Sequence, residues 1–227
     1  MMFQPKFDVE VRIAVAVRDM RWPREGPAEY GESANRGYVD LTSVAWEEVD
    51  DILSVEASVI DSCMRAANEA EEFRAIFREA EAEFGERADR EESDEEFLGA
   101  AFLDLGTAAA TLALNAAGCP SIMACNGHQT GYPYIAFWAR REHVSLLREA
   151  AEAAHVGLIN GMSGGLEVYS DVADGLVRFA GELIGGRNRL AALSGRSVWR
   201  GEGGTRTSWA FQELMEGPPA RTPESDA

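Results

Sequence analysis

Ile122-Met-Ala-Cys-Asn-Gly-His128 and Val156-Gly-Leu-Ile-Asn-Gly-Met162 are two short apolar runs that each close in Asn-Gly, and their shared form decides the fold. Each reads as a strand, over 121–125 and 156–160, ended by a turn that Asn and Gly favour because both tolerate positive φ. A partner strand follows each one: Pro133 to Ala139 after the turn 126–132, and Leu166 to Tyr169 after a hairpin connection holding Gly161, Gly164 and Gly165.

Helices separate these pairs. From about Phe97 to Ala117 the chain is helical and, from Leu103 on, apolar nearly all round, which places it at the centre of the fold. Gly118 and Pro120 stop it. Glu142 to Ala154 is amphipathic, with Val144, Leu147, Ala151 and Ala154 inward. A last helix is capped by Asp171, carries the stripe Val172, Leu176, Phe179, Ala180, Leu183 and Ile184, and ends at Gly185-Gly186. The order helix-strand-strand, repeated and followed by a helix, predicts an α+β fold whose mainly antiparallel sheet packs on helices. The strands match at a displacement of 34 but the preceding helix ends at 37, so the units are similar in topology rather than recent duplicates.

Toward the N-terminus, Phe7 to Val17 alternates apolar and polar residues and reads as a half-buried strand that extends the sheet. Arg21 to Tyr38, with two prolines and three glycines, reads as a loop. Val55 to Phe84 repeats apolar residues at three- and four-residue steps, the mark of one long amphipathic helix with an acidic outer face. Arg87 to Glu96 is a solvated charge run. The organisation is therefore an N-terminal strand, loop and acidic helix over 1–96, an α+β core over 97–186, and a tail over 187–227. The tail reads as irregular, with a short helix near Trp209 to Met215 and a disordered end from Gly217.

Composition bounds the partners. The chain has 227 residues, 46% of them hydrophobic and 26% charged, and a net charge of −18. Between Glu47 and Asp104 lie 20 acidic residues and 5 arginines, so most of the charge sits on one segment. That disfavours a nucleic-acid partner. Five arginines between Arg187 and Arg206, with Trp199 and Trp209, are explained either by a local anion or nucleic-acid contact or by docking on the acidic helices. No stretch approaches the ~20 apolar residues of a membrane span, and no secretion signal leads the chain. The expectation is a cytoplasmic protein whose three cysteines, Cys63, Cys119 and Cys125, stay reduced.

Chemistry concentrates in the first turn. Cys125 and His128 stand at i and i+3 across Asn126-Gly127, a spacing that lets an imidazole activate a thiol as a nucleophile. The same cysteine also reads as a core strand residue. Cys119, Cys125 and His128 form a Cys-x5-Cys-x2-His set, wider than structural zinc sites use, so no metal is expected. No phosphate-binding glycine loop and no Glu-x-x-His pair is present, and no cofactor is indicated. The leading expectation is a site for a small molecule or protein partner, built from Asn126, Gly127, Tyr132, Tyr134, Trp138 and Asn160 around Cys125 and His128. The alternatives are an enzyme using Cys125 and His128, in thiol-dependent or methyl-transfer chemistry, and a subunit of a larger assembly joined through the acidic helix. A homo-oligomer is compatible with each.

Asp104-Leu-Gly, Ala116-Ala-Gly-Cys119, Ala124-Cys-Asn-Gly-His128, Tyr132-Pro and Gly157-Leu-Ile-Asn160 together resemble a widespread group of bacterial proteins of unassigned activity, marked by a Cys-Asn-Gly loop followed by a Tyr-Pro strand. The resemblance covers 103–184 and implies no particular reaction. More remotely, Met123 to His128 is similar to the Ser-Ser-Cys-Ser-Gly-Arg motif of the wybutosine-synthesis methyltransferases, with Cys125 and Gly127 in the motif's places and His128 where it has arginine. This second likeness implies a related fold.

Overall fold

The computed structural model describes residues 3–22, 41, 44–91, 103–129, 131–161 and 164–194. The predicted loop 21–38 (but for Arg21 and Trp22), the end of the charge run and the tail beyond 194, with its expected short helix and disordered end, lie outside these residues.

Glu48 accepts the Ala45 N–H at 2.9 Å, satisfying a donor at the start of α1 (Trp46–Ala66). One stripe of this helix, Val49, Ile52, Glu56, Ile60 and Cys63, is buried at three- and four-residue steps. The chain then breaks: Ala67 is extended (φ −86°, ψ 146°), and Asn68 gives both its backbone and side-chain N–H to Glu72 at 2.7 and 3.1 Å. A second helix, α2 (Ala70–Glu91), starts there. The single helix expected over Val55 to Phe84 is thus two helices, the first beginning earlier, at Trp46. Asn68 competes for backbone hydrogen bonds through its side chain, and Glu72 gives it a partner.

The central helix α3 (Ala108–Ala116) is buried from Ala108 to Asn115 and packs against α1 and, on another side, α5 (Gly175–Gly185). It is shorter than expected, because Leu103 to Thr107 form a turn in which Gly106 takes φ +92°. Its other end is as expected: Gly118 has φ +74°, and the Cys119 N–H returns to Leu114 O at 2.8 Å.

The sheet contains β1 (Ile13–Ala14), β2 (Ser121–Cys125), β3 (Tyr134–Phe137), β4 (Gly157–Asn160) and β5 (Leu166–Tyr169), in the order β1-β4-β5-β3-β2. Among the described residues only the β1–β4 pair is parallel. The α+β architecture predicted from the two strand pairs is therefore the observed one. The N-terminal strand does extend the sheet, but only two of the residues from Phe7 to Val17 enter its ladder. The alternation there reflects half-burial along the molecule, with Val17–Asp19 in a 3-10 turn and Lys6 making a lone bridge to Val172.

Side chains of Ile135, Phe137, Leu158, Leu166 and Val168 point to the helical side of the sheet and are wholly buried. The α4 helix (Val144–Ala154) follows a 3-10 turn at Arg141–His143 and ends in His155, a non-glycine residue at φ 54°. Asp171 does not cap the last long helix. Its carbonyl accepts the Phe7 N–H at 2.7 Å, and Asp174 stands at the N-cap position, paired with Arg178. The tail, expected to be irregular from 187 on, begins instead with a further helix, α6 (Arg187–Ser194), whose Leu190 is buried.

Candidate functional site

Strand alternation sets the site. In the register Cys125↔Tyr134↔Tyr169↔Gly157, these four residues share the face of the sheet opposite the helical core. Cys125 is thus a half-buried outer residue, not the core residue its strand position suggested. Cys119 and Cys63, by contrast, are buried. Burial pushes both of these thiols up, Cys119 the more strongly.

The turn after β2 is held by one amide. Asn126, 5% exposed, donates from its side chain to Glu81 of α2 and to Leu105 O at 3.2 Å, and its side-chain oxygen accepts the His128 N–H at 2.9 Å. Its backbone N–H donates to Asp104 Oδ2 at 3.3 Å. The Gly127 N–H turns back to Cys125 Sγ at 3.3 Å. Gly127 has φ +77°, and a Cβ there would meet the Tyr132 backbone at 2.9–3.0 Å. His128 also adopts the left-handed conformation, at φ 44° and ψ 37°. This tight path brings Cys125 Sγ, a ring nitrogen of exposed His128 and a carboxylate oxygen of Asp104 within 4.8 Å of one another. Burial raises the Glu81 carboxyl, opposed by the Asn126 amide, while Asp104 raises it further and His128 lowers it.

Tyr134 lies across from Cys125, and Tyr132 packs its ring against those of Tyr134 and Tyr169 at 6.3 and 5.5 Å. Burial, followed by the neighbouring thiol of Cys125, pushes the Tyr134 phenol up. Of the residues predicted to form the site, Asn126, Gly127, Tyr132 and Tyr134 are therefore gathered around Cys125 and His128. Trp138 and Asn160 are not. Trp138 is at the far end of the β2–β3 pair, beside Pro120, and is 6% exposed. Asn160 is three strands from β2, roughly 14 Å at ordinary strand spacing, and clamps the backbone of Ala16 through both ends of its amide, at 2.6 and 3.2 Å. Its Asn-Gly turn is structural.

Asn126 also lines a cleft. Its apolar walls include Phe73, Phe77, Leu105 and Pro133; Gly106 and Asn126 also line it, their N–H groups already bonded within the protein, as do Lys6, Ala70 and Arg74. The cavity volume is about 40 Å³, room for about three waters or one ring-sized group. Lys6, the sole lysine, and Arg74 are both exposed and form no salt bridge with any described residue. Two cations at an apolar cleft are notable in a chain of net charge −18.

Two contributors were not anticipated, Asp104 and Glu81. Glu81 follows Phe77 by four residues and so sits on the inward stripe of α2 that Phe73 and Phe77 define, a spacing visible in the sequence. No family model, curated protein or solved structure matches this chain. Among the described residues no helix is long and apolar enough to cross a membrane.

Proposed function

We propose that the protein binds a small organic anion, with its apolar body in the cleft beside Asn126 and its anionic group at Lys6 and Arg74. The observation that carries this reading is the composition of the cleft: aromatic walls and two exposed cations that form no salt bridge with any described residue. Apolar walls supply affinity and a few convergent polar groups supply orientation. Calorimetry with phenylacetate tests it. Saturable one-to-one binding is expected, abolished by Ala70→Phe, which fills the mouth, and weakened about tenfold by Arg74→Gln, while neutral benzyl alcohol is indifferent to Arg74→Gln. Equal affinity in wild type and Ala70→Phe contradicts it.

A second reading, an enzyme with a thiol nucleophile, is favoured by the approach of Cys125, His128 and Asp104. Nucleophile, base and orienting acid are the roles such a trio fills. It predicts that iodoacetamide alkylates Cys125 faster than a simple thiol at neutral pH and that His128→Ala removes the advantage. Indifference of the rate to His128→Ala excludes it.

A further inference from the structure

We infer that Asp104, Cys125 and His128 form a mononuclear site for a divalent transition metal of the zinc class, with three protein ligands and one position left for water or substrate. Carboxylate, thiolate and imidazole are the three ligand types zinc takes, and three of them with an open position is the arrangement of catalytic rather than structural sites. The ligand atoms already lie within 4.8 Å of one another. A tetrahedral zinc centre needs ligand atoms about 3.3–3.6 Å apart, from its ordinary bond lengths, so side-chain rotations of about 1 Å close the site. The exposed ring of His128 is free to make that adjustment.

The supporting groups are present as well. The Asn126 N–H donates to Asp104 Oδ2 and the Gly127 N–H to Cys125 Sγ, each at 3.3 Å, which orients two of the three ligands. Two carboxylates, Asp104 and Glu81, face the same turn, and neither is paired with an arginine or lysine among the described residues. A dication would balance that charge. The set differs from the Cys119-containing one weighed from spacing, because Cys119 is wholly buried whereas Asp104 arrives from the turn before α3.

Cobalt(II) titration of the metal-free, reduced chain provides the test. One equivalent is expected, with the intense visible bands of tetrahedral cobalt and a near-ultraviolet thiolate-to-cobalt band that zinc bleaches. Cys125→Ser removes the thiolate band, and Asp104→Asn and His128→Gln each weaken binding at least tenfold. Because His128 is exposed, His128→Gln leaves the metal-free melting temperature unchanged, which separates lost ligation from lost folding. Absence of saturable binding, or equal affinity in the wild type, Asp104→Asn and His128→Gln, overturns the proposal. The inference does not depend on the cleft: a chain that binds phenylacetate but no cobalt fails this test alone.

Discussion

Asn126 accepts the backbone N–H of His128 at 2.9 Å while the same side chain donates to Leu105 O and Glu81, so a single amide ties the turn after β2 to α2 and to the entrance of α3. Removing it leaves a carbonyl and a half-buried carboxylate without their partner. With unsatisfied buried groups costing about 1–3 kcal/mol each, Asn126→Ala should lower stability by about 2–4 kcal/mol in urea denaturation. Asn126→Asp adds a third carboxylate beside Asp104 and Glu81. It should be worse than alanine at pH 7 and recover toward it at pH 4.

Gly127 is required by both conformation and space. At φ +77° an L-residue costs roughly 1–2 kcal/mol, and the added Cβ would press on the Tyr132 backbone. Gly127→Ala should lower the melting temperature more than Gly131→Ala, whose Cβ would meet nothing nearer than 3.6 Å. Comparable losses in the two variants would contradict this account of the turn.

Glu56 caps the central helix from another element. Its carboxylate, wholly buried, accepts the N–H groups of Gly106, Ala108 and Ala109 at 2.7, 3.0 and 2.9 Å. Burial raises it from 4.5 to about 7 despite these bonds, which act in the lowering direction. The folded state therefore holds this proton more tightly than the unfolded chain does. Its contribution to stability is complete below pH 4.5 and is lost as pH rises to about 7 and beyond, on the order of 3 kcal/mol in all. Glu56→Gln turns an amide donor on backbone donors and should cost about 1–3 kcal/mol, and the difference between wild-type and variant stability should shift across that window. A difference that stays constant from pH 4 to 8 contradicts the assignment.

His155 occupies the left-handed position after α4, at φ 54°, with its side chain exposed. Glycine is the residue suited to this place. Relief of the conformational cost, less the entropy glycine adds to the unfolded chain, predicts that His155→Gly stabilises by about 0.5–1 kcal/mol, read as a higher denaturant midpoint at unchanged slope.

The strand pairs were legible because apolar runs, Asn-Gly turns and the Gly-Pro stop at Gly118 to Pro120 are local signals. The break at Ala67 to Glu69 was not, since Ala66, Ala70 and Phe73 carry the helical spacing straight through a segment with neither glycine nor proline. Glu56 was readable in principle: it lies in register with Val49, Ile52, Ile60 and Cys63, a charge at a core position. The site was half legible. Cys125 to His128 marked themselves by residue type, whereas Asp104 joins them only through tertiary contact, and Trp138 and Asn160 were grouped with them by chemistry that the sheet order separates. From sequence Cys125 reads as a core residue, because strand alternation gives two faces without saying which one the helices cover.

Occupancy of the cleft beside Asn126 by an organic anion is read from a crystal of the protein with para-bromophenylacetate, through the anomalous signal of bromine. One bromine peak is expected in the cleft, beside the touching rings of Phe73 and Phe77, with the carboxylate at Arg74 and Lys6. A fully occupied bromine site elsewhere on the chain, with the cleft empty, would contradict it.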